Sequence, residues 1–245
     1  MMQKLCYIAL IILISACQKA PLRKCWKSAG NIVWQNATLS SFSYLHLHPH
    51  IELTIVQDSL NYIEWQAGEH LQPFLKATIE SDTLQLYNLN RCRFLRYKNG
   101  NVKAIVHFTS LKELHLDNSE SVSSIGAWAQ DELVLHLKEG VGPVNLQLFA
   151  NKAMIRNHYG WQKLNLSGVV KSLFVDLDGS AALNTLDLTV QDSISFRSAA
   201  HLSSSISANL VRLKAQLYGE GNLYYAGAPS VLWKTEYGNG RVLPK

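Results

Sequence analysis

Apolar and polar side chains alternate with a period of two along most of this chain, and almost no segment carries a helical period. Such alternation sends every second residue to one face of a β-strand. The first portion reads as strands around Ser41–Leu47, Ile51–Val56, Ile63–Trp65, Thr83–Tyr87 and Lys103–Phe108. One interruption, Glu69 to Lys76, is expected to hold a short helix, with Pro73 early enough to be tolerated near its first turn.

From residue 111 the pattern becomes a loose repeat. Leu111–Leu116, Asp131–Leu137, Val144–Leu148, Lys163–Leu166, Leu173–Leu177, Leu183–Val190, Ile194–Phe196 and Leu210–Ala215 each carry the x-Leu-x-Leu theme. A strand this short cannot bury its apolar side alone. Stacking unit on unit makes a continuous core, which is the logic of a solenoid. Asp117-Asn118-Ser119 and Asp178-Gly179-Ser180 suit the tight corners between units. The fold class expected is therefore all-β, a parallel β-helix-like solenoid, with a two-sheet antiparallel β-sandwich as the alternative.

The first residues break the pattern. Lys4 precedes an apolar run, Leu5 to Ile14, and the segment closes Ile14-Ser15-Ala16-Cys17. A basic start, an apolar core and small residues before a cleavage point mark a secretory signal peptide. The run is too short to span a bilayer, which takes roughly 20 apolar residues. Cys17 after Ser15-Ala16 resembles a bacterial lipobox, in which the thiol is diacylated and the chain is cut before it. Several acyl chains, at about 0.8 kcal/mol per buried methylene, hold a protein firmly to a membrane. The segments expected are a lipoprotein signal peptide over 1–16, a lipidated tether over 17–29, the solenoid over 30–232, and a C-terminal cap or tail over 233–245. Gln18 is not the acidic residue associated with inner-membrane retention, so the destination expected is the outer membrane of a bacterial envelope. Whether the protein faces the periplasm or the cell surface stays open.

The 245 residues carry a net charge of +5, and the basic residues are scattered apart from Lys19 to Lys27 beside the presumed anchor. No basic stripe with interleaved aromatics and no zinc-finger spacing is present, which argues against a nucleic-acid partner. Of four cysteines, Cys6 leaves with the signal peptide and Cys17 carries lipid. Cys25 and Cys92 are then an even pair in an oxidising compartment, and a disulfide between them is expected, free buried thiols being the alternative.

Candidates for chemistry are thin. His46, His48 and His50 alternate and would share a face if the strand continued, so they are weak candidates for a zinc or copper site. Pro49 argues that the strand ends there and turns His50 away. His115 and His136 would form an outward ladder if the coils stack in register. Asp176 and Asp178 share a strand face, with Asp187 near in sequence. Paired carboxylates serve glycoside hydrolysis only at a controlled separation across a cleft. No Gly-x-Ser-x-Gly elbow and no phosphate-cradling glycine loop accompanies them. No catalytic residue and no cofactor is expected. Most of the tryptophans are assigned to the core or to end caps, with Trp233 and Tyr237 sealing the last coil.

Several stretches also carry a family resemblance. Gly30–Val33 with Ser41–Leu45, Ile51–Gln57 leading to Ala67–Leu71, and Thr83–Cys92 resemble successive blocks of the bacterial adhesin-head domain family called GIN, common in lipoproteins of Bacteroidetes. Gly219–Pro229 is similar to the closing glycine-rich motif of that family, in which Gly219, Gly221, Gly227 and Pro229 are the matching positions. The match spans about residues 30 to 232. Turns at 118–120, 157–159 and 178–180 depart from the family's Gly-Ser-Gly pattern. The resemblance implies a right-handed parallel β-helix on a lipoprotein. The function expected is non-catalytic binding or adhesion, with a glycan or an envelope protein as partner. A carbohydrate-active hydrolase and an envelope assembly accessory protein are the alternatives.

Overall fold

The alternating leucines turn inward. In a computed structural model, which describes residues 28–91 and 102–245, Leu45, Leu47, Leu114, Leu116, Leu133, Leu135 and Leu137 are all buried, and the residues between them are not. Among the described residues the strands so formed number 18 and join in one sheet. The early ones are β1 (Ile32–Thr38), β2 (Tyr44–Leu47), β3 (Glu52–Gln57), β4 (Tyr62–Gly68), β5 (Leu75–Glu80), β6 (Thr83–Asn88) and β7 (Lys103–Phe108). Next come β8 (Glu113–Leu116) and the long strands β9 (Val122–Leu137), β10 (Val144–Asn157) and β11 (Lys163–Leu177). The chain finishes with β12 (Ala182–Thr185), β13 (Leu188–Ser198), β14 (Ser204–Ser207), β15 (Arg212–Leu217), β16 (Leu223–Ala226), β17 (Val231–Glu236) and β18 (Val242–Pro244).

From β8 onward every pairing is parallel. From the β8–β9 pair onward, partners in adjacent coils are 19 to 22 residues apart. This is a parallel β-solenoid and not an antiparallel sandwich. The register lines up one inward column, Leu84, Leu45, Leu114, Leu135, Ile155, Val175, Phe196 and Ala215, each member on its counterpart in the next coil. All eight are buried. Each large member contributes on the order of 1.5–3 kcal/mol by leaving water.

A stack with unequal coil lengths must keep its in–out alternation, because a one-residue slip turns every side chain over. The register shift between Val170 and Ser172 absorbs one extra residue, so that Val170 faces Val190 while Leu173 meets Ile194. A second shift falls between Asn145 and Gln147. Buried asparagines stitch corners. Asn88 Nδ2 donates to the His50 carbonyl at 2.8 Å and Asn118 Nδ2 to the Ile51 carbonyl at 2.8 Å.

The amino-terminal end is built differently. There β1 runs antiparallel to β4, β4 antiparallel to β7, and β5 and β6 form a hairpin. The hairpin turn is Ser81-Asp82, both at positive φ (48° and 64°), the two-residue geometry whose twist matches flanking strands. Strands in this orientation cover the apolar surface that a first coil would otherwise leave open.

Three expectations need correction. The helix placed at Glu69–Lys76 is a single 3-10 turn, Gln72–Phe74, after which Leu75 already belongs to β5. Leu75, Ala77 and Ile79 alternate, and pairing with β6 gives their backbone groups partners that a short helix would leave unmet at its ends. Secondly, Trp34, Trp161 and Trp233 are 54%, 65% and 56% exposed, whereas Trp65 and Trp128 are buried. Trp233 pairs with the outward Lys214, so strand parity points it to solvent. Tyr237 stacks outside the coil on Tyr218, with ring centroids 4.7 Å apart. Lastly, the Cys25–Cys92 disulfide is withdrawn, since the structure holds none among the described residues. Cys17, Cys25 and Cys92 themselves lie outside those residues. Among the described residues, the chain on either side of residue 92 is held by Asn90 Nδ2 donating to the Leu71 carbonyl at 3.1 Å and by the β3–β7 ladder.

Candidate functional site

Parallel register does to outward side chains what it does to leucines, setting like position above like position. His46 on β2 pairs with His115 on β8, and His115 with His136 on β9. The His115 and His136 rings stack at 4.4 Å and 17°, and His46 lies 6.0 Å from His115, tilted by 54°. Glu113, two residues before His115 and so on the same face, reaches both rings. Its Oε2 is 3.1 Å from His115 Nε2 and 3.6 Å from His136 Nε2. The outward ladder expected of His115 and His136 is thus present, with Glu113 at its centre.

The three histidines of the His46–His50 segment are divided. His46 and His48 sit 4.2 Å apart, and His48 stacks on Tyr87 at 4.0 Å with Nε2 2.9 Å from Gln85 Oε1. His50, at φ 73°, turns toward another corner, where Nδ1 meets Glu120 Oε1 at 3.1 Å and its N–H donates to Glu120 Oε2 and Asn118 Oδ1. One metal ion could not take all three. The sequence signal for Glu113 was its i, i+2 spacing to His115, but its approach to His136 depends on coil register, which the sequence does not print.

Beyond the histidines the same column continues as Arg156, Asp176, Arg197, Gln216 and Thr235. Arg197 Nη1 donates to both oxygens of Asp176, at 2.7 and 2.9 Å. The carboxylate beside it holds the guanidinium's pKa above its ordinary value. Beside this column Met154, Phe174, Ser195, Lys214 and Trp233 form a parallel one. Met154, Phe174, Asp176 and Arg197 line a shallow groove of about 240 Å³. Asp178 pairs with His158 at 3.7 Å. Asp187 lies in a different groove, lined by Asn145, Asn165 and Asn184. Asp176 and Asp187 therefore do not flank a common cleft, and Asp176 is already engaged by arginine. His107, in turn, belongs to a separate cluster with Asp58 (3.1 Å), Glu64 (3.4 Å) and the stacked Tyr62. Gly219 and Gly221 stand in the corner before β16, and Gly227 and Pro229 in the corner after it.

Burial lowers the pKa of His46, and repulsion from His48 and His115 adds to it. Burial likewise lowers that of His136, with His115 adding to it against the opposing pull of Glu113. Both are lowered in the folded state, so the unfolded chain takes up more protons below about pH 6.5. Stability is then intact above that pH and falls as the solution is acidified toward the folded-state values. Urea denaturation at pH 7.5 and 5.5 is expected to show this loss. It should shrink in the His46→Gln/His136→Gln double variant; an equal loss in that variant would assign the effect elsewhere.

The family model described as "Putative auto-transporter adhesin, head GIN domain" matches residues 41–229. No functionally curated relative matches the chain. Among solved structures, a "putative adhesin" from Bacteroides fragilis NCTC 9343 superposes with a TM-score of 0.79 at 16% identity, covering 88% of this chain and 97% of that one. A "putative adhesin" from Parabacteroides distasonis ATCC 8503 gives 0.65 at 16% identity, over 88% and 98%. A "Putative lipid binding protein" from the same strain gives 0.59 at 18% identity, over 88% and 97%. These likenesses concern the fold. With the family model covering most of its length, the chain belongs to the auto-transporter adhesin head GIN domain family.

Proposed function

We propose that this protein is a cell-envelope lipoprotein, anchored through lipid on Cys17, whose solenoid binds a glycan or an envelope protein without catalysing a reaction. The observation that carries the reading is the outer face on which the column Met154, Phe174, Ser195, Lys214 and Trp233 runs beside the column Arg156, Asp176, Arg197, Gln216 and Thr235 across successive coils. Apolar and aromatic groups interleaved with paired charges on a rigid ladder suit recognition of an extended partner. Two of the structures that share the fold carry the description of adhesin, which agrees with this reading.

A binding screen against envelope glycans and envelope proteins tests it, with the Phe174→Glu variant beside the natural chain. Capture that is lost in Phe174→Glu, with far-UV circular dichroism unchanged, is the expected outcome. Capture that survives the substitution would remove this face from the reading. Glycan cleavage abolished by Asp176→Asn would replace binding with hydrolysis. Mass measurement of the mature amino terminus tests the anchor, an unmodified Cys17 refuting it. Protease treatment of intact cells then reports which side of the outer membrane the solenoid occupies.

A further inference from the structure

The geometry points to a divalent transition-metal site on the outer face, formed by Glu113, His115 and His136 across two adjacent coils. The ligand atoms all lie within 4.8 Å of one another. Tetrahedral zinc, with bonds of about 2.0–2.2 Å, separates its ligands by roughly 3.3–3.5 Å. Glu113 Oε2 sits at 3.1 and 3.6 Å from the two imidazole Nε2 atoms, which brackets that edge. Loading the ion requires the two rings, stacked with centroids 4.4 Å apart and planes 17° from parallel, to turn about their broad χ2 torsions until both Nε2 lone pairs aim at one point.

Two imidazoles and one carboxylate are the donor set zinc accepts with a position left open. Here that position faces solvent, since the three side chains are 24–40% exposed, and His46 stands beside it as a further nitrogen. The ligands come from neighbouring strands of a stiff ladder, so their spacing is set before a metal arrives. Positive charge works against the site: Arg156 follows His136 in the column, and Lys138 bears on His46. Glu113 is the group that offsets it.

Zinc chloride titrated calorimetrically into the purified, tag-free protein tests the site. We expect one ion per chain, with affinity falling at least tenfold in both His136→Ala and Glu113→Gln. The His201→Ala variant, which alters the His201–Glu220 pair several coils away, is expected to bind as the natural chain does. Arg156→Gln should bind more tightly. Glu113→Gln changes no volume in the core, so its result stands even if His136→Ala were to misfold. Absence of saturable binding would overturn the site, as would equal affinity in the natural and Glu113→Gln proteins. A loss confined to His50→Ala would also overturn it, by placing the ion at the Glu120 corner.

Discussion

Trp128→Ala is expected to destabilise the protein by about 3–5 kcal/mol, the usual cost of emptying a buried indole site. Trp128 is 1% exposed, lies beside Leu148 of the next coil, and donates Nε1–H to the Leu111 carbonyl at 2.7 Å. The substitution therefore opens a cavity between coils and strips a buried carbonyl of its donor. Trp128→Phe separates the two effects: it keeps most of the volume and should cost about 1–3 kcal/mol through the unmet carbonyl. A folded domain has only about 5–15 kcal/mol in hand, so the alanine variant should lose a large share of it. Urea midpoints measure both variants. An alanine variant within 1 kcal/mol of the natural protein would mean that Trp128 is not part of the packed interior.

Gly168→Ala is expected to cost nearly as much for a different reason. Gly168 sits at φ +103°, and an added Cβ would fall 2.2 Å from the Leu148 carbonyl oxygen. Strain at such a φ costs about 1–3 kcal/mol. Forcing two coils apart adds a similar amount. Gly126 is the internal control, because its φ is also positive, +74°, but nothing lies within 4 Å of the added atom. Gly126→Ala should then show the conformational cost alone. Equal losses at both positions would exclude the close approach of coils as the cause at Gly168.

The inward half of this fold was legible in the sequence because parity alone decides it. Leu133, Leu135 and Leu137, or Leu213, Ala215 and Leu217, could face nothing but the interior once the period of two was recognised. What escaped was everything that depends on which coil lies next to which. The segment Leu75–Glu80 is strand because β6 lies beside it, while its local sequence offered Pro73 and a helical reading. Trp233 looked like a plug by size, yet its register with Lys214 sends it outward. The histidines show both sides. The ladder of His115 and His136 follows from in-register stacking. The carboxylate that joins them, and the departure of His50 to Glu120, arise from coil-to-coil geometry that alternation does not encode.

The steps of 19 to 22 residues between coils have a consequence for how such a molecule can change in length. Each turn leans only on the turns before and after it. Removing or duplicating one whole turn from the parallel stretch would return every following residue to its original side of the wall. Trimming a single residue inside a strand would instead invert everything up to the next irregularity able to absorb it. The length of the stack is thus adjustable in increments of one strand spacing, about 4.8 Å, with the interior left as it was.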